Sequence, residues 1–233
     1  MNKQMNNMKS LSTRWGTDHD DNRLEAGVDE AGRGPLFGPV VVSAVIWHPM
    51  DTHPLIRDSK TYTSKRRLWM AYDVVREFAI DMSTVFHDSN TIDKYGILQT
   101  TMYGMWDALD QLKIRPQVAL IDGNYFDYPG LYSEHLDTID YYTIPQGDSK
   151  YISIAAASIL SKVKRDKWIE DIVNKYPELN EHYSIASNKG YGSYIHRQGL
   201  DTYGITPFHR QSFSICRNRS YHTQWTNMKK HEN

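Results

Sequence analysis

Only one cysteine, Cys216, occurs among the 233 residues, so no disulfide can form within the chain, and a reducing cytosol suits it. A lone cysteine also implies no catalytic thiol; it is ordinarily a small buried hydrophobe. Charge of one sign is missing as well: 27 Lys and Arg stand against 28 Asp and Glu, a net charge of -1. Any site for a polyanion must therefore come from local clustering. No apolar run approaches the roughly twenty residues of a membrane span, and Met1 to Thr17 lacks the apolar core of a signal peptide. These absences set the expectation of a cytoplasmic protein with no membrane attachment. Internal repeats and low-complexity tracts are also lacking. What is present, 39% hydrophobic and 24% charged residues, reads as one globular domain with room for a small appendage.

The order of elements follows from local pattern. Residues 1–22, rich in Asn, Lys and Met and ending in Asp18-His19-Asp20-Asp21, read as a mobile extension. Leu24 to Asp29 reads as a strand entering a glycine-rich turn. The β-branched run from Pro39 to Trp47 reads as a central strand. Leu68, Ala71, Tyr72 and Val75 recur at helical spacing over about 64–78, with Ser64 as N-cap. A third strand is expected over 80–86, and one long helix over 92–112, closed before Pro116. Val118 to Ile121 and Tyr141 to Ile144 read as short strands, and Ile154 to Tyr176 as an alanine-rich helix. Strands alternating with helices after three early strands imply a mixed sheet flanked by helices. Sites on such sheets gather at strand carboxyl ends, where Asp29 and Asp122 both sit.

The chemistry concentrates in Gly27-Val28-Asp29-Glu30-Ala31-Gly32-Arg33-Gly34-Pro35. Adjacent carboxylates suit hard divalent cations. Glycine-freed N–H groups beside a guanidinium suit phosphate oxygens. Taken alone, the segment also fits a tight turn between two strands. Asp122 fits either a turn or a metal ligand, and Asp148 either a helix cap or a ligand. A cluster of such carboxylates repels itself unless a cation intervenes, and oxygen-only ligation favours magnesium or manganese. Tyr191, between Gly190 and Gly192, can stack on a base or sugar or simply pack. Asp58-Ser59-Lys60 with Lys65, Arg66 and Arg67, and Lys162, Lys164, Arg165 and Lys167, fit phosphate contacts or ordinary surface charge. His209 in His209-Arg210-Gln211-Ser212-Phe213 fits a buried hydrogen-bonded side chain equally well.

Taken in order, these segments resemble the type 2 ribonucleases H, the bacterial ribonuclease HII family. The resemblance runs from about Glu25 to Phe213. It includes Val28 to Pro35, Gly38-Pro39-Val40-Val41, Asp58-Ser59-Lys60, Ile121-Asp122-Gly123-Asn124 and Gly147-Asp148-Ser149. It continues through Ala156 to Val163 with Arg165-Asp166, Lys189-Gly190-Tyr191 and His209 to Phe213. Each match is weak alone, and their order makes coincidence improbable. Asn188 departs from a histidine in many relatives, and Gly192 from a proline or alanine, which puts the loop geometry in question.

The resemblance implies a ribonuclease H-like α/β fold: a mixed five-stranded sheet flanked by helices over 23–178, with a small helical C-terminal part over 179–233. It implies a divalent-metal endonuclease, with Asp29, Glu30, Asp122 and Asp148 as catalytic and metal-binding carboxylates and two Mg2+ or Mn2+ ions when substrate is bound. Gly32, Arg33, Gly34 and Lys60 would hold the nucleic-acid backbone, and Tyr191 would sense the junction into DNA. The implied substrates are RNA–DNA hybrids and ribonucleotides embedded in duplex DNA, and the implied state is a monomer. Two alternatives are a non-catalytic hybrid-binding protein and another nuclease of the same core, such as a junction resolvase or transposase. All four acidic positions are filled, which disfavours the first; the Gly-Arg-Gly loop and Tyr191 disfavour the second.

Overall fold

The structure, a computed structural model, describes residues 11–15, 23–126 and 138–225. Five strands, β1 (Glu25–Ala31), β2 (Val40–Ile46), β3 (Asp81–His87), β4 (Val118–Asp122) and β5 (Asp140–Ile144), form one sheet in the order β3-β2-β1-β4-β5. The first three are antiparallel neighbours; β4 and β5 run parallel to β1. This is the mixed five-stranded sheet expected.

Alternation along the strands assigns the two faces. Ala26 and Val28 of β1 and Val42, Ala44 and Ile46 of β2 pack against Met102, Met105, Trp106 and Leu109 of α3 (Ile97–Asp110). Val45 points the other way, into Leu68, Ala71, Tyr72 and Val75 of α1 (Lys65–Phe78) and Ala155 to Ala157 of α4 (Ile152–Lys175). Ser64 caps α1 as expected, its Oγ accepting from the Arg67 N–H. With cover on both faces, β2 is buried at every position, and its sequence accordingly shows no polar alternation.

The single helix expected over 92–112 is two. α2 (Ser89–Tyr95) starts one turn earlier, capped by Asp88, and stops at Gly96, whose φ of 81° no right-handed helix accommodates; α3 follows. Glycine enters that left-handed region without the Cβ clash other residues meet.

Beyond α4 come α5 (Glu178–Tyr183), α6 (Ile185–Asn188) and α7 (Tyr194–Tyr203). Leu179, Tyr183, Ile185 and Leu200 pack on Ile169 of α4 and on Phe37, which fastens this helical part to the sheet. Trp225 closes the same cluster against Tyr176 and Phe208. Lys229 and Lys230 lie outside the described residues. Within the stretch expected as a mobile extension, residues 11–15 instead dock: Ser12 exchanges backbone bonds with Lys150 and Ile152, and Trp15 stacks on Tyr142. Cys216 is buried.

Candidate active site

Parallel pairing of β1 and β4 sets the first two carboxylates. Val28 lies level with Ile121, so the next residues, Asp29 and Asp122, are neighbours across two central strands. A 3-10 turn (Gly147–Ser149) delivers the third; its Gly147 N–H donates to Asp122 Oδ1 at 2.7 Å. One carboxylate oxygen from each of Asp29, Asp122 and Asp148 lies within 4.8 Å of the others. Asp148 is not the cap of α4, a position held by Tyr151. Its carboxylate, 3% exposed, instead accepts from Lys60 Nζ at 2.9 Å; the Lys60 side chain is 74% exposed.

Glu30 stands apart from the three. Successive strand residues face opposite ways, and Glu30 pairs with Arg33 Nη1 at 3.4 Å on the rim of the same cleft. Burial first, then the charges of Glu30 and Asp122, pushes the Asp29 carboxyl well above the carboxylate range. Burial likewise raises Asp122, against the opposing Gly147 N–H, and raises Glu30, against the opposing Arg33. The Asp148 carboxylate raises Lys60 through their hydrogen bond. Three close carboxylates cannot all ionise cheaply in such a site. An all-oxygen donor set with surplus negative charge fits a hard divalent cation, magnesium or manganese, and does not suit a metal that prefers nitrogen or sulfur.

A cradle of loops lines the same cleft. Gly32 has a φ of 97°, and a Cβ there would collide with the Arg165 side chain and lie 2.8 Å from the Pro39 carbonyl. Two buried arginines hold the cradle by backbone carbonyls. Arg210 donates to Gly32 O at 2.6 Å, to Arg33 O at 3.0 Å and, through two nitrogens, to Gly38 O. Arg165 donates to Phe37, Pro39 and Lys189 carbonyls, each at 3.1 Å. By sequence, Arg165 fits a phosphate contact or ordinary surface charge. It is neither, because its guanidinium is spent inside the fold. Burial lowers the pKa of both, and pushes Arg210 down to about 9 with Arg165 adding to it.

Lys162 and Lys189 line the cleft, whose volume is about 520 Å³. Lys65 and Lys167 pair with Glu170 and Asp171 instead. Tyr191 is 53% exposed, and its ring lies against Gly34, where a Cβ would be 3.4 Å from Cε1. Asn188, a departure from the family pattern, closes this loop. Its amide donates to Tyr183 O at 2.7 Å, and its oxygen accepts from the Gly190 N–H at 2.8 Å. His209 is buried and hydrogen-bonded to Thr206 and His196. His196 carried no signal in the sequence.

The model of the family described as Ribonuclease HII matches residues 26–216. The ribonuclease HII of Cytophaga hutchinsonii is 42% identical over 197 residues, covering 84% of this chain and 91% of the relative. That of Acholeplasma laidlawii is 42% identical over 188 residues, covering 81% and 86%. The crystal structure of ribonuclease H2 from Pyrococcus horikoshii shares the fold, with a TM-score of 0.66 at 24% identity over 83% of this chain and 95% of that one. Matched through the same span that carries the carboxylates, the cradle and Tyr191, this chain belongs to the ribonuclease HII family.

Proposed function

We propose how this member of the ribonuclease HII family, a metal-dependent endoribonuclease, divides its chemistry among its own residues. The convergence of Asp29, Asp122 and Asp148 within 4.8 Å, with Asp29 and Asp122 lining the same cleft as the Gly32–Gly34 loop, carries the reading. Asp29 and Asp122, fixed on adjacent strands, would hold a divalent ion. Asp148 would serve a second ion with substrate bound, and Glu30 would complete the acidic rim. When bound, Mg2+ or Mn2+ polarises the scissile phosphate and lowers the pKa of the attacking water.

The remaining work falls to the loops. Hydrolysis breaks the bond from phosphorus to the 3′-oxygen and forms one to the water oxygen, leaving a 5′-phosphate and a 3′-hydroxyl. Arg33, Lys60 and the N–H groups of Gly32 and Gly34 orient the phosphates that flank the cut. The 2′-hydroxyl is the only local mark that separates a ribonucleotide from a deoxyribonucleotide, and the close backbone of Gly32 to Gly34 can approach it. Tyr191 lays its exposed ring on the following sugar, which distinguishes a junction into DNA from continuous RNA. The substrates are the RNA strand of RNA–DNA hybrids and single ribonucleotides in duplex DNA. All groups invoked come from one chain, so a monomer suffices.

A DNA duplex carrying one ribonucleotide, with products mapped to the nucleotide, tests the assignment. Cleavage with magnesium or manganese, abolished by EDTA and by Asp122→Asn, is the expected result. Near-wild-type turnover by Asp122→Asn would sink it.

A further inference from the structure

Three successive carbonyls of the tyrosine loop are each held by a different partner. Lys189 O accepts from Arg165, Gly190 O from the Leu36 N–H at 2.8 Å, and Tyr191 O from His196 Nδ1 at 2.9 Å. The last bond begins a chain whose protons can be assigned. A carbonyl only accepts, so His196 Nδ1 carries hydrogen, and in a neutral ring its Nε2 then offers a lone pair. That lone pair faces His209 Nε2 at 3.0 Å, which must donate. His209 Nδ1, left without hydrogen, accepts the Thr206 N–H at 3.0 Å. Every atom in the chain is satisfied by this one arrangement.

Both rings are neutral and dry. Their exposures are 0% and 1%, and burial pushes both imidazoles below their ordinary range. Tyr183 stands edge-on to both, and Phe37 edge-on to His209. The Tyr191 carbonyl also accepts from the Ser193 N–H at 2.7 Å. That bond closes a turn within the loop and does not anchor the loop to anything else.

We propose that His196 and His209 are positioning residues for substrate selectivity: as a pair of fixed tautomers they anchor the Tyr191 carbonyl, and so keep the ring over Gly34. This rests on the reading of Tyr191 as the junction sensor. The plainer alternative is a satisfied core histidine pair that contributes only stability.

Isosteric amides separate the two. An asparagine amide sits where Nδ1 of histidine sits, and a glutamine amide reaches the place of Nε2. His196→Asn therefore keeps the donor to Tyr191 O and loses His209, whereas His196→Gln does the reverse. The readout is the ratio of kcat/KM on a duplex with one embedded ribonucleotide to that on a long RNA–DNA hybrid. His196→Gln should lower this ratio about threefold to tenfold, the worth of one hydrogen bond. His196→Asn should leave it within about twofold, although both variants lose one bond and similar stability. Equal ratios for the two variants would overturn the proposal. Tyr191→Ala, measured alongside, keeps the layers apart. If it lowers the ratio while His196→Gln does not, the anchor fails and the tyrosine reading stands. If it leaves the ratio unchanged, the tyrosine reading itself fails.

Should either histidine variant fail to fold, imidazole 15N NMR of the unmodified protein tests the hydrogen-bond chain on which the proposal stands. Protonated-type shifts are expected for His196 Nδ1 and His209 Nε2, and the reverse pair of tautomers would overturn the chain.

Discussion

In the carboxylate wall, Asp29, Asp122 and Asp148 meet as like charges, and burial drives the carboxyls of Asp29 and Asp122 up. In the cradle, Arg165 and Arg210 are just as buried, yet each nitrogen fork ends on backbone carbonyls. The wall sets three carboxylates against the single ammonium of Lys60, so it is poised for a cation. The cradle holds charge that hydrogen bonds already satisfy, so it is a rigid frame. Removing a charge from the wall should therefore abolish chemistry and spare the fold, whereas removing one from the cradle should lower the stability of the fold itself.

The largest effect tests the wall. Asp29→Asn or Asp122→Asn should lower kcat/KM by at least about a hundredfold, the scale for losing one preorganised electrostatic group. In metal-free buffer the melting temperature of Asp29→Asn should be equal to or above wild type, because a repelled, desolvated charge is gone. A lower melting temperature would mean that the wall is a structural element after all. Asp148→Asn should also be impaired, with part of the activity restored at high manganese.

The cradle answers next. Arg210→Met leaves the carbonyls of Gly32, Arg33 and Gly38 without their donor, at a cost on the order of 1–3 kcal/mol for each buried group left unpaired. Urea unfolding measures it, and Arg210→Lys should recover only part, since an ammonium cannot reproduce the planar fork. A variant as stable as wild type would show that the carbonyls find other partners.

Tyr191 comes third, at the edge of the cradle. Stacking on a sugar or base is worth about 1–3 kcal/mol, so Tyr191→Ala should lose roughly one to two powers of ten on a single embedded ribonucleotide. The loss on a long hybrid should be smaller. Tyr191→Phe should keep an appreciable part of the activity, and if it is as poor as alanine, the hydroxyl rather than the ring is the contact.

Acid sharpens the contrast, because the two regions respond with opposite sign. The raised carboxyls of Asp29, Glu30 and Asp122 bind protons more tightly in the fold. Their contribution to stability is complete at low pH and is lost as pH rises through the raised values. His196 and His209 are lowered, so their contribution is present above the ordinary imidazole value near 6.5 and is lost as pH falls towards the lowered ones. In metal-free protein between about pH 7 and pH 5, Asp29→Asn should therefore lose stability more steeply than wild type, since one compensating gain has been removed. Parallel curves would place the Asp29 carboxyl in the ordinary range. The smallest effect belongs to Lys60: its exposed ammonium makes Lys60→Met worth less than about 1 kcal/mol of stability, while KM for substrate should rise.

Much of this was legible along the chain. The spacing of Leu68, Ala71, Tyr72 and Val75 was enough for α1 and its cap, and the apolar runs were enough for β2 and β4, because those signals are local. The long helix expected over 92–112 failed at Gly96, where one left-handed residue outweighs an otherwise continuous helical pattern. The motif around Asp29 and Glu30 announced metal and phosphate chemistry, but not that Glu30 would pair with Arg33 while Asp29 joined Asp122.

By itself, then, the sequence determined which groups the protein has for chemistry: the carboxylates at strand and turn ends, the glycine-bracketed arginine, the tyrosine loop, and their order in a known family. Only the tertiary structure decided which of them meet. The parallel pairing of β1 with β4 sets Asp29 beside Asp122, and the packing of the C-terminal helices takes Arg165, His196, His209 and Arg210 out of solvent to hold the loops. Local pattern records whether a side chain is polar. Whether a polar side chain is buried and what it then holds depend on segments distant in the sequence, such as the 172 residues that separate Arg210 from Gly38.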